Sequence, residues 1–240
     1  MHVTSPHGNN QSKRAPARIA RGLLAAGALL LGTAQAMAVK PFTADYQASY
    51  MGMQATGQMT LVAAGENRWR YSLNISNSLA SLSQNTVFEE HDGAWRPISG
   101  KDSSKVLVKN SDKIASYDWS KGVASWTGDV KPERAGPIKL QSGDMDALLI
   151  NLALVRDVKA GKPLHYRLVD NGRVKQLHYQ VAGTEQITVG GKSQTATKVV
   201  SSDGDKQTIA WVVDGMPVPA RILQREDGKD AMDLRIRAVR

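Results

Sequence analysis

From Phe42 onward, apolar and polar residues alternate with a period of two. Phe42, Ala44, Tyr46, Ala48 and Tyr50 are separated by Thr43, Asp45, Gln47 and Ser49. Successive side chains on a strand point to opposite faces, so this pattern predicts a strand with one apolar side. The same rhythm recurs in Trp69, Tyr71, Leu73 and Ile75, in Leu164, Tyr166 and Leu168, and in Ile209, Trp211 and Val213. Val218, Ala220 and Ile222 share one face, as do Met232, Leu234 and Ile236. Weaker alternation marks 57–63, 84–91, 94–99, 113–119, 123–127, 174–181, 185–189 and 195–201. Between these runs lie Asp92-Gly93, Asn171-Gly172, Gly190-Gly191, Asp203-Gly204 and Asp227-Gly228, dipeptides that accept positive φ in tight turns. Their spacing predicts consecutive antiparallel hairpins. A sheet with one apolar face must curl, close or be covered to hide it.

One segment breaks the rhythm. Met145, Leu148, Leu149, Leu152 and Val155 follow helical spacing over 144–157, and Ser142-Gly143-Asp144 can supply the capping side chain. Arg156 and Lys159 suit the negative helix end, and Gly161 and Pro163 stop it. The amphipathic stripe is expected to pack on the concave side of the sheet, with a mobile lid as the alternative. Residues 129–143 read as a connection inside one domain spanning 39–240; the alternative is a split near residue 140. The predicted fold is mainly β: a strongly curved antiparallel sheet or open barrel with one amphipathic helix packed on it.

Residues 1–38 have no acidic residue. Lys13, Arg14, Arg18 and Arg21 precede an apolar run from Gly22 to Gly32, and Ala34-Gln35-Ala36 and Ala36-Met37-Ala38 follow. This is the pattern of a cleavable secretory signal of the Sec type, cut after Ala38 or Ala36. An uncut anchor is the rival, but about 11 apolar residues fall short of the roughly 20 that span a bilayer. A mitochondrial presequence is the other rival; the compact apolar block and the small residues favour secretion. The expected location is the periplasm.

Composition narrows the chemistry. The 240 residues carry a formal net charge of +9, and removing the four leader cations leaves +5. The remaining excess is spread out, without the basic stripe and interleaved aromatics of a nucleic-acid surface. No other apolar run is long enough to span a membrane once the signal is cut. Zero cysteine excludes disulfides, thiolate metal sites and a cysteine nucleophile. P-loop, dinucleotide, G-x-S-x-G and H-E-x-x-H motifs are absent.

The remaining constellations are weak. His165 and His178 lie equidistant from Asn171-Gly172, so a hairpin sets them opposite each other, but no third metal ligand can be named. Glu89 and His91 could share one strand side as an acid–base pair, without a partner nucleophile. Asp144 and Asp146 read as capping residues. Trp69, Trp95, Trp119, Trp126 and Trp211 either line an apolar pocket or fill a β core. The reading therefore names no catalytic, cofactor-binding or metal-binding residue and no cofactor.

Three stretches resemble an uncharacterised bacterial secreted family, domain of unknown function 3108, over about Phe42 to Val239. They are Phe42-Thr43-Ala44-Asp45-Tyr46 with Tyr50-Met51-Gly52-Met53, then Asp146-Ala147-Leu148-Leu149-Ile150-Asn151-Leu152 with Gly161-Lys162 and Asn171-Gly172-Arg173, and finally Thr208-Ile209-Ala210-Trp211 with Pro217-Val218-Pro219-Ala220-Arg221-Ile222. The resemblance implies an exported envelope protein and supplies no catalytic residues. The strand-plus-helix layout is also similar to that of periplasmic lipoprotein carriers. The expected function is a non-enzymatic binding protein for an apolar or lipid-like ligand or an envelope component. The alternatives are a structural or interaction module with an envelope protein partner, and a hydrolase with an unrecognised site.

Overall fold

The computed structural model describes residues 39–50 and 52–240, so the expected leader over 1–38 and its cleavage site lie outside the described residues. The chain first runs through β1 (Phe42–Tyr50), β2 (Met53–Ala63), β3 (Arg68–Ser76), β4 (Ala80–His91), β5 (Ala94–Val106), β6 (Lys109–Asp118), β7 (Val123–Gly128) and the short β8 (Ile138–Lys139). It then forms β9 (Asp144–Met145), α1 (Ala147–Lys159), β10 (His165–Asp170) and β11 (Arg173–His178). It returns through β12 (Gln180–Val189), β13 (Lys192–Asp203), β14 (Lys206–Val213), β15 (Arg221–Glu226) and β16 (Lys229–Val239).

The large sheet has 13 strands, in the order β12 to β16, then β1 to β8. Neighbours are antiparallel throughout. The first strand thus lies beside the last, and Thr43 and Arg240 exchange backbone hydrogen bonds of 2.7 and 2.9 Å. The sheet is not closed, since β12 and β8 are its two ends. A second sheet of 3 strands, β11-β10-β9, includes the one parallel pairing among the described residues.

The alternation becomes burial. On β1, Phe42, Ala44, Tyr46 and Ala48 are buried while the residues between them are not. Apolar residues of β1 to β5 and β12 to β16 join those of α1 in a single core cluster. Thirteen strands about 4.8 Å apart would spread over roughly 60 Å if flat, too wide for one helix to touch. The sheet therefore curls around α1, which is the curved open barrel that the periodicity predicted. A smaller cluster of Ala115, Tyr117, Ala124, Trp126, Leu140 and Val169 fills the space under β6 and β7.

The predicted turns fall where expected. Asp170 pairs with Arg173 across Asn171-Gly172, and Glu226 pairs with Lys229 across Asp227-Gly228. In both turns the two central residues have positive φ, the form of two-residue hairpin that Asn-Gly and Asp-Gly favour.

The helix differs in two respects. Its cap is Asp146, whose side chain accepts a 2.7 Å hydrogen bond from the Leu149 N–H. Asp144 and Met145 instead pair with β10, and the Asp144 carboxylate takes a 2.6 Å contact from Arg167. The apolar surface of α1 is also more than a stripe. Leu148, Leu149, Ile150, Leu152, Ala153, Leu154 and Val155 are all buried, because the sheet covers the helix from several directions.

Candidate functional site

Two cavities touch α1, one at each end. At its N-terminal end lies a small polar cavity of 20 Å³. β4 contributes Thr86, β5 contributes Asp102, β10 contributes Asp170, and the helix contributes its cap, Asp146. The Thr86 hydroxyl donates to Asp146 Oδ2 at 2.6 Å, while Oδ1 caps the helix. Burial pushes the Asp146 carboxyl up to about 6, against the hydrogen bonds from Thr86 and the Leu149 N–H. Burial, with the charges of Asp146 and Asp102, pushes Asp170 up to about 7. Burial also raises Asp102, although Lys113 and Gln84 pull it back. Trp126 borders the same cavity, 3% exposed, and its Nε1 has no hydrogen-bond partner among the described residues. A space of this size holds about one water molecule and no organic substrate.

At the C-terminal end of α1 is an open cleft of 830 Å³. Its walls come from Leu152, Val155 and Val158 of α1, Phe42 and Leu61 of β1 and β2, Trp95 of β5, and Met216 in the β14–β15 connection. Sheet curvature brings these distant segments together. The polar side chains at its border are mainly basic: Lys40, Arg156 and Lys159, against Asp214. Arg156 lies 4.5 Å over the Trp95 ring and binds Asp157 through two hydrogen bonds of 2.7 and 3.0 Å. Asp157 also accepts from the Tyr166 hydroxyl at 3.1 Å, so the guanidinium is fixed at the cleft wall. Lys159 stands 3.7 Å from Asp214, a loose pair across the mouth. An apolar trough of this volume is of the size that takes small organic ligands, and the basic border suits an anionic end.

The constellations singled out in the sequence fare differently. His165 and His178 do face each other across the hairpin, with ring centroids 4.6 Å apart. Both are exposed. Among the described residues, no group of three or more histidine or acidic side chains could hold a metal ion. Glu89 and His91 are not brought together. Glu89 binds Arg96 at 2.5 Å and Arg68 at 3.4 Å, whereas His91 lies 3.3 Å from Asp92. Burial pushes the Glu89 carboxyl up, but the two arginines outweigh it and hold it below the usual carboxylate range. Of the tryptophans, Trp95 lines the cleft, while Trp126 and Trp211 are buried in the core clusters. The acidic cavity was legible only at Asp146; nothing local marks Asp102 or Asp170 as its partners.

The family model described as "Protein of unknown function (DUF3108)" matches residues 45–235. The chain belongs to the DUF3108 family. No curated protein matches it. Among solved structures, this DUF3108 chain is similar to a β-barrel-like protein of domain of unknown function DUF1849 from Brucella abortus. The TM-score is 0.50 at 12% identity, covering 83% of this chain and 97% of the other. It also aligns with MucB in the MucA/MucB complex of Pseudomonas aeruginosa, at a TM-score of 0.36 and 10% identity, covering 83% of this chain and 51% of that one. The first likeness shows the barrel-like fold that the DUF3108 chain shares; no helix among the described residues is long and apolar enough to cross a membrane.

Proposed function

We propose that this DUF3108 protein is a non-catalytic binding protein of the bacterial envelope, exported by its leader, that holds an apolar or lipid-like ligand with an anionic end. The supporting observation is the cleft of 830 Å³, walled by aliphatic and aromatic side chains and bordered by Lys40, Arg156 and Lys159. An apolar tail would leave water along Leu152, Val155, Trp95 and Met216, and its anionic end would meet the basic border. The trough beside the helix is filled with side chains, so the ligand would enter the cleft at one end of α1 rather than lie along the whole interior. The interaction-module reading draws less support. The free edge β12 carries a bulge between Val181 and Gly183, a device that discourages pairing with another strand.

Titrating purified protein with a pyrene-labelled fatty acid tests the reading. Saturable binding is expected, and Met216→Trp, which fills the cleft from an irregular connection, should weaken it about tenfold or more. Absence of saturable binding, or equal binding by the variant, would overturn the proposal.

A further inference from the structure

The two ends of the sheet are finished differently. Three hairpin turns of the N-terminal half, β1–β2, β3–β4 and β5–β6, emerge at one end, as the strand register dictates. They expose Tyr50, Met53, Leu79, Val106, Leu107 and Val108. The turns at the other end of the same strands read Gly65-Glu66-Asn67, Asp92-Gly93 and Ser120-Lys121-Gly122, which are ordinary polar turns.

Leu107 is the telling residue. Five non-glycine residues have positive φ among the described residues. Four are Asn67, Asp92, Asn171 and Asp227, the residue types that tolerate it; the fifth is Leu107, at φ 53°. Leu107 and Val108 form the two-residue turn closed by the Val106–Lys109 pair. Val108 does not share the positive φ, and glycine is the usual first residue of such a two-residue turn, at less strain. Folding does not repay the choice, since Leu107 is 63% and Val108 97% exposed. The tips are also held together. The Leu107 N–H donates to the Leu79 carbonyl at 3.0 Å, and the Asn77 side chain donates to the Gln54 carbonyl at 3.3 Å. Asn77 Oδ1 in turn accepts from the Leu79 and Ala80 amides.

We propose that this rim docks on an anionic lipid bilayer, with Leu107 and Val108 entering the interface. The apolar groups sit on turn tips and stay largely exposed, which suits a deformable lipid surface. Exposed Lys105 and Lys109 flank the turn, one on each face of the hairpin, where they would meet acidic headgroups. At the same end, the turns of the C-terminal half carry Asp203, Asp205, Glu226 and Asp227 against Lys206 and Lys229, a net acidic set without an exposed large apolar residue, so the N-terminal rim is the better match to an anionic surface. The cleft begins at Trp95, at the opposite end of β5 and roughly 36 Å along the strand from Val106 at about 3.3 Å per residue. Docking therefore leaves the cleft free, and the two proposals can fail separately.

The experiment is sedimentation with vesicles of phosphatidylcholine alone or mixed with phosphatidylglycerol. It uses residues 39–240, which contain the whole described core, so the apolar run of the leader cannot contribute. The expected result is salt-sensitive binding to the mixed vesicles. The double variant Leu107→Gly with Val108→Asn should lower it about tenfold or more while keeping or raising the melting temperature, because it restores favoured turn chemistry. Lys105→Gln with Lys109→Gln should remove the preference for phosphatidylglycerol. Equal binding by the Leu107/Val108 variant, equal binding to both vesicle types, or self-association that this variant abolishes without vesicle binding would each overturn the proposal.

Discussion

At its N-terminal end, α1 starts on a carboxylate held by a hydroxyl and an amide, in a cavity the size of one water molecule. At its C-terminal end the same helix borders an aliphatic cleft of 830 Å³ with basic groups at its mouth. The difference follows from what the sheet brings to each end. β5 and β10 deliver Asp102 and Asp170 to the first, while β1, β2 and the β14–β15 connection deliver Phe42, Leu61 and Met216 to the second. Close packing of charge leaves room for little besides water, and loose packing of apolar groups leaves room for a ligand. One end thus reads as a fixed anchor of the helix and the other as the open cleft on which the proposed binding function rests.

The largest expected effect tests the helix that joins the two. Leu149, fully buried beside the cap, should cost about 2 to 5 kcal/mol when replaced by alanine, measured by urea unfolding. A loss well below this would mean that the helix is not the common support of both ends.

The acidic end should reveal itself through pH. The Asp170 carboxyl stands at about 7 in the folded protein. Its unfolded value is near 4, so its share of stability is complete below about pH 4 and is lost as pH rises through 7. Asp170→Asn should therefore stabilise the fold by about 1–3 kcal/mol at pH 8 and have little effect at pH 4, compared by urea unfolding at both. An equal effect at the two pH values would show that burial and the neighbouring carboxylates do not raise Asp170.

The smallest effect concerns the mouth of the cleft. Lys159→Ala removes an exposed cation and a loose pair with Asp214, so stability should change by no more than about 0.5 kcal/mol. Affinity for an anionic amphiphile should nevertheless fall severalfold, read by the same fluorescence titration. Undiminished affinity would remove the basic border from the account of the cleft.

Much of the architecture was legible along the chain. Alternation in 42–50, 69–75 and 232–236 located strands, and Asn171-Gly172 fixed the register that sets His165 against His178. The segment Lys101–Asp112 was not legible. Most of its residues are polar on both faces, and Leu107-Val108 has none of the usual turn chemistry, yet it forms the far half of β5, the turn and the start of β6. The helix cap was misplaced for a related reason. Asp144 and Asp146 look alike in sequence, and pairing with β10 decides which one caps.

The sequence by itself determined most strands, most turns, the one α-helix among the described residues and the need to bury one sheet face, because these follow from the period of side chains on a local backbone. Only the tertiary structure decided that Asp102, Asp146 and Asp170 share one cavity and that Phe42, Trp95, Val155 and Met216 share another. Those groupings depend on how far the sheet curls and where its first and last strands meet. They join residues whose separation along the chain carries no periodic signal.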